Sequence, residues 1–158
     1  MGFAPSSMQV TTSAFEAGGE IPRRHTGEGE DLSPALSWRG APEGTRAFAL
    51  ICHDPDAPLV KEGRYGFVHW LLYNLPGSLS GLEEATQLGT LGVNDFGNRS
   101  YGGPMPPPGH GDHYYYFWVL ALDSELKLPE GLSINALLEA VEPHLLGMSR
   151  LVGRYARE

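Results

Sequence analysis

The sequence predicts an antiparallel β-sandwich with a few helices attached. Glycine and proline account for 21 and 13 of the 158 residues, which is roughly 22% where average usage gives about 12%. These residues lie between apolar runs and are not pooled in one tail, as expected for turns between short strands. Apolar residues at helical spacing occur only near the C-terminus. The pattern therefore favours a β-rich, loop-rich fold over a helical bundle.

Six segments have the composition of strands. The strongest is residues 114–122 (YYYFWVLAL), and residues 46–52 (RAFALIC) and 67–73 (FVHWLLY) also form near-continuous apolar runs. Such runs are typical of central strands that are buried on both faces. The weaker candidates are residues 9–15, 35–38 and 151–155. In residues 9–15 apolar and polar side chains alternate weakly, as in an edge strand, and residues 151–155 would form the last strand of the chain.

The connections between these strands are rich in turn-forming residues. Residues 22–31 are charged and contain glycine, residues 41–44 form a turn, and residues 74–77 turn the chain after the second core strand. Residues 101–111 contain so many glycines and prolines that neither helix nor strand is expected there.

One helix is predicted near the C-terminus. Ser133 is a suitable N-cap, and the apolar residues that follow it have helical spacing until Pro143 ends the helix. Those apolar residues are Ile134, Leu137, Leu138 and Val141. We expect a further short turn of helix over residues 144–149.

Length and charge limit the class of protein. The 158 residues predict one domain, and 11 basic against 19 acidic residues leave a net charge of −8. A nucleic-acid partner is disfavoured by that charge. The chain has one cysteine, no run of 18 apolar residues and no signal-peptide pattern at its N-terminus. We therefore expect a cytoplasmic protein without a disulfide or a transmembrane segment.

Two carboxylates follow a predicted buried strand. Asp54 and Asp56 lie in a loop directly after residues 46–52, which is a common position for functional side chains. They could form an acid/base pair. The alternative is that each Asp-Pro or Asp-Ala step simply stabilises a turn.

Two histidines lie on predicted strands. Alternation places His69 on the same face as Phe67 and Leu71, and His113 on the same face as Tyr115. A buried histidine needs a hydrogen-bond partner, so His69 alone is better explained as a core residue. If these groups converge, imidazolium and free backbone N–H groups of the glycine-rich loop would bind a small anion, and a carboxylate would orient one histidine.

Other chemical patterns are weaker. His110 and His113 have a spacing found in metal sites, but two histidines alone are unspecific, and no metal is expected. Cys52 and His53 are adjacent and point to opposite faces of a strand, so they cannot act as a nucleophile and base. The tyrosines at 114–116 suit core packing better than base stacking in so acidic a chain.

The sequence resembles the phosphatidylethanolamine-binding protein family, in its short bacterial and archaeal branch that is often labelled Raf kinase inhibitor-like. Five segments carry the resemblance in the family's order. They are residues 32–38 (LSPALSW), 54–58 (DPDAP), 69–76 (HWLLYNLP), 101–115 (YGGPMPPPGHGDHYY) and 151–155 (LVGRY). The set covers nearly the whole chain and is far more specific than any one of its motifs.

The resemblance implies a Greek-key β-sandwich of two antiparallel sheets with short C-terminal helices, and a cavity for phosphate-like anions. By matching position, the anion-binding residues are Asp54, His69, Pro106, Pro107, Gly109, His113 and Tyr115, with Pro58 and Tyr101 as neighbours. Tyr114 replaces the family's arginine, and alternation points it away from His113. Residues 59–67 form a longer connection that could reshape the rim of the cavity.

Three functions follow as hypotheses. The first is a non-enzymatic binder of small phosphate-like anions or of the phosphoethanolamine head group, without a cofactor. The second is a protein–protein regulator that inhibits a protease or kinase, since relatives are described as such inhibitors. The third is a weak hydrolase that uses Asp54 and His69. Because short members are often dimers, the resemblance also implies a homodimer.

Overall fold

In the computed structural model, which describes residues 7–57 and 66–158, the chain forms two antiparallel sheets. The smaller sheet has β2 between its two partners; its strands are β1 (Gln9–Thr11), β2 (Leu36–Arg39) and β5 (Gly81–Leu82). The larger sheet consists of β3 (Ala47–Asp54), β4 (Phe67–Pro76), β6 (Thr90–Leu91), β7 (His113–Leu122) and β8 (Leu145–Tyr155). Its spatial order is β6-β4-β3-β7-β8.

The main hydrophobic core fills the space between the two sheets. Trp38 of the small sheet tilts against Phe48 of the large sheet, with ring centroids 5.3 Å apart. Trp70 and Phe117 extend this core along β4 and β7. Burying such aromatic side chains contributes roughly 2–3 kcal/mol each. The predicted sandwich is therefore confirmed.

The outer face of the large sheet is covered by the C-terminal helix. Leu71 and Leu120 pack on this side against Leu137 and Val141 of α1 (Ile134–Val141). Since both of its faces are buried, β3 has a near-continuous apolar sequence and not an alternating one.

The connectivity explains how distant residues meet. β3 and β4 form an adjacent antiparallel pair, and the chain then passes through β5 and β6 before it returns as β7 on the other side of β3. This long return is of the Greek-key kind. It places the end of β3 and the start of β7 side by side.

The C-terminal elements confirm one expectation and correct another. The hydroxyl Oγ of Ser133 accepts a hydrogen bond from the Ala136 amide, as an N-cap does, and α1 ends before a 3₁₀ turn at Glu142–His144. The helical turn predicted over residues 144–149 is wrong, because β8 begins at Leu145. Pairing with the full length of β7 outweighs the weak local preference of these residues.

A second correction concerns β4. In its pairing with β3, Cys52 lies opposite Trp70 while His53 lies opposite Val68, so His69 is skipped. This β-bulge interrupts alternation. His69 therefore lies on the side of Trp70 and not, as predicted, on the side of Leu71. The strand also continues to Pro76, beyond the turn expected from residue 74.

Candidate functional site

Three strand ends meet at one edge of the large sheet. β3 ends at Asp54, β7 begins at His113, and β4 carries His69 close to its start. Because β3 lies between β4 and β7, the three side chains converge on a cavity of about 170 Å³. The described residues that line it are Asp54, Ala57, Phe67, His69, Phe96, Met105, Pro106, Pro107, His113 and Tyr115.

Asp54 orients His113. The Nδ1 of His113 lies 2.7 Å from Oδ2 of Asp54, and both side chains are buried. The other carboxylate oxygen accepts the Asp56 amide at 2.8 Å, while Asp56 accepts the amide of Tyr114. In the structure the carboxylate of Asp54 is thus hydrogen-bonded to one of the two candidate histidines. The hydrogen bond of Asp54 is to His113, however, and not to His69 as the hydrolase hypothesis needs.

His69 is held by backbone. Its Nδ1 donates to the carbonyl of Gly102 at 2.7 Å, which leaves Nε2 as the nitrogen that a ligand can reach. Burial lowers the pKa of His69, an effect that the Gly102 carbonyl and the Asp54 charge oppose in part. The imidazole is therefore neutral near pH 7 in the unliganded protein.

Tyr115 lines the cavity and carries a buried hydroxyl. The residue is fully buried, and its hydroxyl has no hydrogen-bond partner among the residues that the structure describes. Burial, followed by the charge of Asp54, raises the pKa of Tyr115 far above its ordinary value, so the group remains a neutral donor. A buried donor without a partner costs about 1–3 kcal/mol, and a bound acceptor would recover this energy.

The remaining wall of the cavity is apolar. Phe67 and Phe96 pack edge to face with ring centroids 4.7 Å apart, and both rings contact His69. Met105 completes this side. These three residues and Ala57 were not predicted from the sequence. Ala57, Phe67 and Met105 are close to predicted site residues in the chain, which was a positional signal, whereas Phe96 had none.

The proline- and glycine-rich loop contributes less than expected. Pro106 and Pro107 line the cavity, whereas Gly109 does not; its amide donates to the carbonyl of Arg157. The amides of Gly102, Gly103 and His110 likewise donate within the protein. These four N–H groups are therefore not free to bind an anion, which corrects the expectation from glycine content.

Of the two predicted neighbours, Tyr101 is not among the residues that line the cavity. The hydroxyl of Tyr101 donates to the carbonyl of His25 at 2.6 Å, and its ring packs edge-on against Trp70. Tyr101 is thus a support of the core beneath the loop. Pro58, and most of the connection at residues 59–67, lie outside the described residues.

His110 is a neighbour whose spacing in the sequence suggested only a metal ligand. Its Nδ1 lies 2.6 Å from Nε2 of His113. Within residues 7–57 and 66–158, no group of three or more His, Cys, Asp or Glu side chains could hold a metal ion. The contact between the two rings is therefore a hydrogen bond between imidazoles.

A family model described as phosphatidylethanolamine-binding protein matches residues 11–156. This match covers nearly the whole chain, including the entire larger sheet and all the described residues that line the cavity. The chain belongs to the phosphatidylethanolamine-binding protein family.

Relatives within the phosphatidylethanolamine-binding protein family support the assignment at the levels of sequence and structure. A UPF0098 protein of Methanothermobacter thermautotrophicus is 43% identical over 95% of this chain and 99% of its own length. A crystal structure of a putative phosphatidylethanolamine-binding protein homologue from Chlamydia trachomatis superimposes with a TM-score of 0.89 at 35% identity, over 97% of this chain and 99% of that one.

The E. coli protein YbcL, a new member of the mammalian phosphatidylethanolamine-binding protein family, is similar with a TM-score of 0.87 at 30% identity. The alignment covers 97% of this chain and all of YbcL. The family resemblance stated from the sequence motifs is thus confirmed. In the part of the chain that the structure describes, no helix is long and apolar enough to cross a membrane.

Proposed function

We propose that this protein binds a small phosphate-like anion, free or as the phosphoethanolamine head group of a lipid, in the cavity at the end of β3, and that it catalyses no reaction there. The observation that carries the proposal is the Tyr115 hydroxyl. It is a buried donor without a partner among the described residues, and it lines the same cavity as His69 and His113.

The donors around the cavity suit an oxyanion. Tyr115 donates without a change of charge, and His69 donates through Nε2 once it binds a proton. Nε2 is also the only ring nitrogen of His113 left for a ligand, because Nδ1 is bonded to Asp54. Hydrogen bonds from such groups to a charged ligand are about twice as strong as neutral ones.

Asp54 does not prevent anion binding in this arrangement. Its two oxygens accept from His113 and from the Asp56 amide, so its charge faces donors of the protein. When His113 is protonated, the pair is neutral overall. We therefore assign Asp54 the role of positioning His113.

The size of the cavity limits the ligand. Its volume of about 170 Å³ is well above the roughly 10–15 Å³ that one water needs on the same measure. A phosphate or a phosphoethanolamine group fits, whereas acyl chains do not. A phospholipid would therefore bind by its head group, with its chains outside.

A hydrolase is less well supported. The only hydroxyl among the described lining residues belongs to Tyr115, and burial keeps it protonated and hence a poor nucleophile. Turnover of a phosphomonoester that is abolished by His69→Ala would contradict a purely binding role. Inhibition of a protease or kinase gains no specific support from the cavity.

The proposal includes a cytoplasmic location and a homodimer. The buried free Cys52 suits a reducing compartment, and the dimer is carried over from short members of the family. Cell fractionation and light scattering on the purified protein test these two points.

The direct test is an NMR titration of the imidazole signals of His69 and His113, first with phosphate and then with phosphoethanolamine. We expect saturable shifts in both rings that are lost in His69→Ala. The half-buried His144, whose Nδ1 is hydrogen-bonded to Asp123 away from the cavity, is the internal control and should not respond. If neither cavity histidine responds at millimolar ligand, the proposal is wrong.

A further inference from the structure

His110 occupies the position on His113 that an anion needs. His113 is buried at 2% exposure and uses Nδ1 on Asp54, so Nε2 is its only free donor position. That nitrogen lies 2.6 Å from Nδ1 of His110, and the two ring centroids are 4.8 Å apart. A ligand oxygen and the His110 ring cannot both occupy this hydrogen-bonding direction.

The backbone on both sides of His110 leaves room for its ring to turn away from His113. His110 is exposed and lies between Gly109 and Gly111, whose φ angles are +72° and +85°. A Cβ at either glycine would meet nothing within 4 Å, so the space beside the backbone is open. Glycine adopts negative as well as positive φ at low cost, which allows the ring to turn outward without moving the prolines that line the cavity.

We propose that His110 is a displaceable cap on the site: it hydrogen-bonds to His113 in the unliganded protein, and an anion binds to His113 by taking its place. This inference rests on the proposed function. It adds a residue that competes with the ligand, whereas His69, His113 and Tyr115 bind it.

Proton counting gives the cap a pH dependence. Because His113 keeps its Nδ1 proton on Asp54, the bond to His110 needs one proton shared between the facing nitrogens. The pair can take up one further proton and remain bonded, but a second leaves two N–H groups facing each other. A proton on both facing nitrogens therefore opens the cap.

Other charges lie around this pair. Asp54 faces His113, and Asp56 holds the Tyr114 amide nearby. The Oδ2 of Asp112 lies 3.6 Å from Nη1 of Arg154. The guanidinium of Arg157 donates to the carbonyl of Pro106. These charges are already paired or hydrogen-bonded, so the bond between the two imidazoles depends on the protons that the rings themselves carry.

The test compares phosphate affinity in wild type and His110→Ala by calorimetry at pH 7.5 and 5.5. At pH 7.5, loss of the competing hydrogen bond should tighten binding roughly three- to tenfold. At pH 5.5 the advantage should shrink or reverse to the extent that both facing nitrogens carry a proton. Repeating the titration with phosphoethanolamine and with phosphatidylethanolamine vesicles separates free anions from lipid head groups.

Two further variants sharpen the comparison. His110→Asn keeps an N–H donor near the Nδ1 position but cannot titrate, so its affinity at pH 7.5 should stay close to that of wild type. His144→Ala removes a half-buried, hydrogen-bonded histidine away from the cavity and should change nothing.

The outcomes separate the two proposals. If wild type binds phosphate and His110→Ala binds it equally or more weakly at pH 7.5, the cap is overturned and the anion site stands. If neither protein binds phosphate at either pH, the anion site fails and the cap fails with it.

Discussion

The carboxylate of Asp54 and the imidazole of His113, 59 positions apart in the chain, are joined by a buried hydrogen bond of 2.7 Å. The Greek-key return of the chain brings them together, since β7 pairs with β3 and not with β4. This bond fixes Nε2 as the nitrogen of His113 that is left for the proposed ligand. The same bond therefore stabilises the adjacent ends of β3 and β7 and orients the His113 ring at the cavity.

Asp54→Ala should destabilise the protein by about 3 kcal/mol, because it leaves His113 buried without its partner and removes the acceptor of the Asp56 amide. The control is Asp56→Ala, at an exposed carboxylate that accepts only a backbone amide, with an expected loss of about 1 kcal/mol. Urea unfolding of both variants measures the difference. If both variants lose the same free energy of unfolding, the buried pair of Asp54 and His113 contributes no more to stability than an exposed hydrogen bond does.

Tyr115→Phe should have opposite effects on folding and on binding. Removing a buried hydroxyl without a described partner should raise the free energy of unfolding by about 1 kcal/mol. Phosphate affinity should fall roughly ten- to a hundredfold, since a donor to a charged ligand is lost. Urea unfolding and an NMR titration provide the two readouts.

The matched control for Tyr115 is Tyr73→Phe. Tyr73 is also fully buried, but its hydroxyl donates to the carbonyl of Pro129 at 2.6 Å and it packs on the opposite face of the sheet. This variant should lose stability and keep its affinity for phosphate. If Tyr115→Phe behaves in the same way, its hydroxyl is not a ligand donor.

The lowered pKa of His69 predicts how the stability of the folded protein depends on pH. Its pKa is lowered in the folded state, chiefly by burial, so the unfolded chain binds the proton more readily. The stability that His69 contributes is therefore present above the unfolded pKa of about 6.5 and is lost as pH falls below it. His69→Asn, which keeps a donor for the Gly102 carbonyl, should flatten the loss of stability between pH 7 and pH 5.

Phosphate should reverse this behaviour, because a bound anion favours the protonated ring. We expect affinity for phosphate to decrease from pH 5.5 to pH 8.5, by at most about tenfold per pH unit for each proton taken up. Urea unfolding with and without phosphate, across this range, checks both statements. Equal slopes for wild type and His69→Asn, or a flat affinity, would contradict the role of His69.

The sequence could predict the main strands and the helix because those rest on strong local signals. The apolar run at residues 114–122 and the capped helix after Ser133 were assigned correctly from composition and spacing. The convergence of Asp54, His69 and His113 was implied by the family resemblance, not by their spacing, since their contact depends on the return of β7 beside β3.

What could not be predicted depends on register and on three-dimensional neighbours. The β-bulge at His69 follows from pairing with β3, so alternation alone assigned the wrong face. The amide of Gly109 bonds to Arg157, at the far end of the chain, so glycine content overestimated the free donors. The bond between His110 and His113 requires ring orientations that a three-residue spacing does not define.

Gly103 shows how closely the backbone beneath the site is packed. A Cβ at this position would overlap the carbonyl oxygen of His25 and the carboxylate of Asp31, which accepts the Gly103 amide. Gly103→Ala should therefore cost at least about 2 kcal/mol, because backbone must move. The shift would be passed to Gly102, whose carbonyl holds His69, and should weaken phosphate binding as well.

Gly18→Ala separates this packing effect from the general cost of replacing glycine. Gly18 has a φ of +78°, and a Cβ added there would meet nothing within 4 Å. The variant should therefore lose only about 1–2 kcal/mol from backbone strain and keep its phosphate affinity. Thermal unfolding and calorimetric titration of both variants test the prediction. A Gly103→Ala protein that binds phosphate as wild type does would show that His69 does not depend on the backbone beneath it.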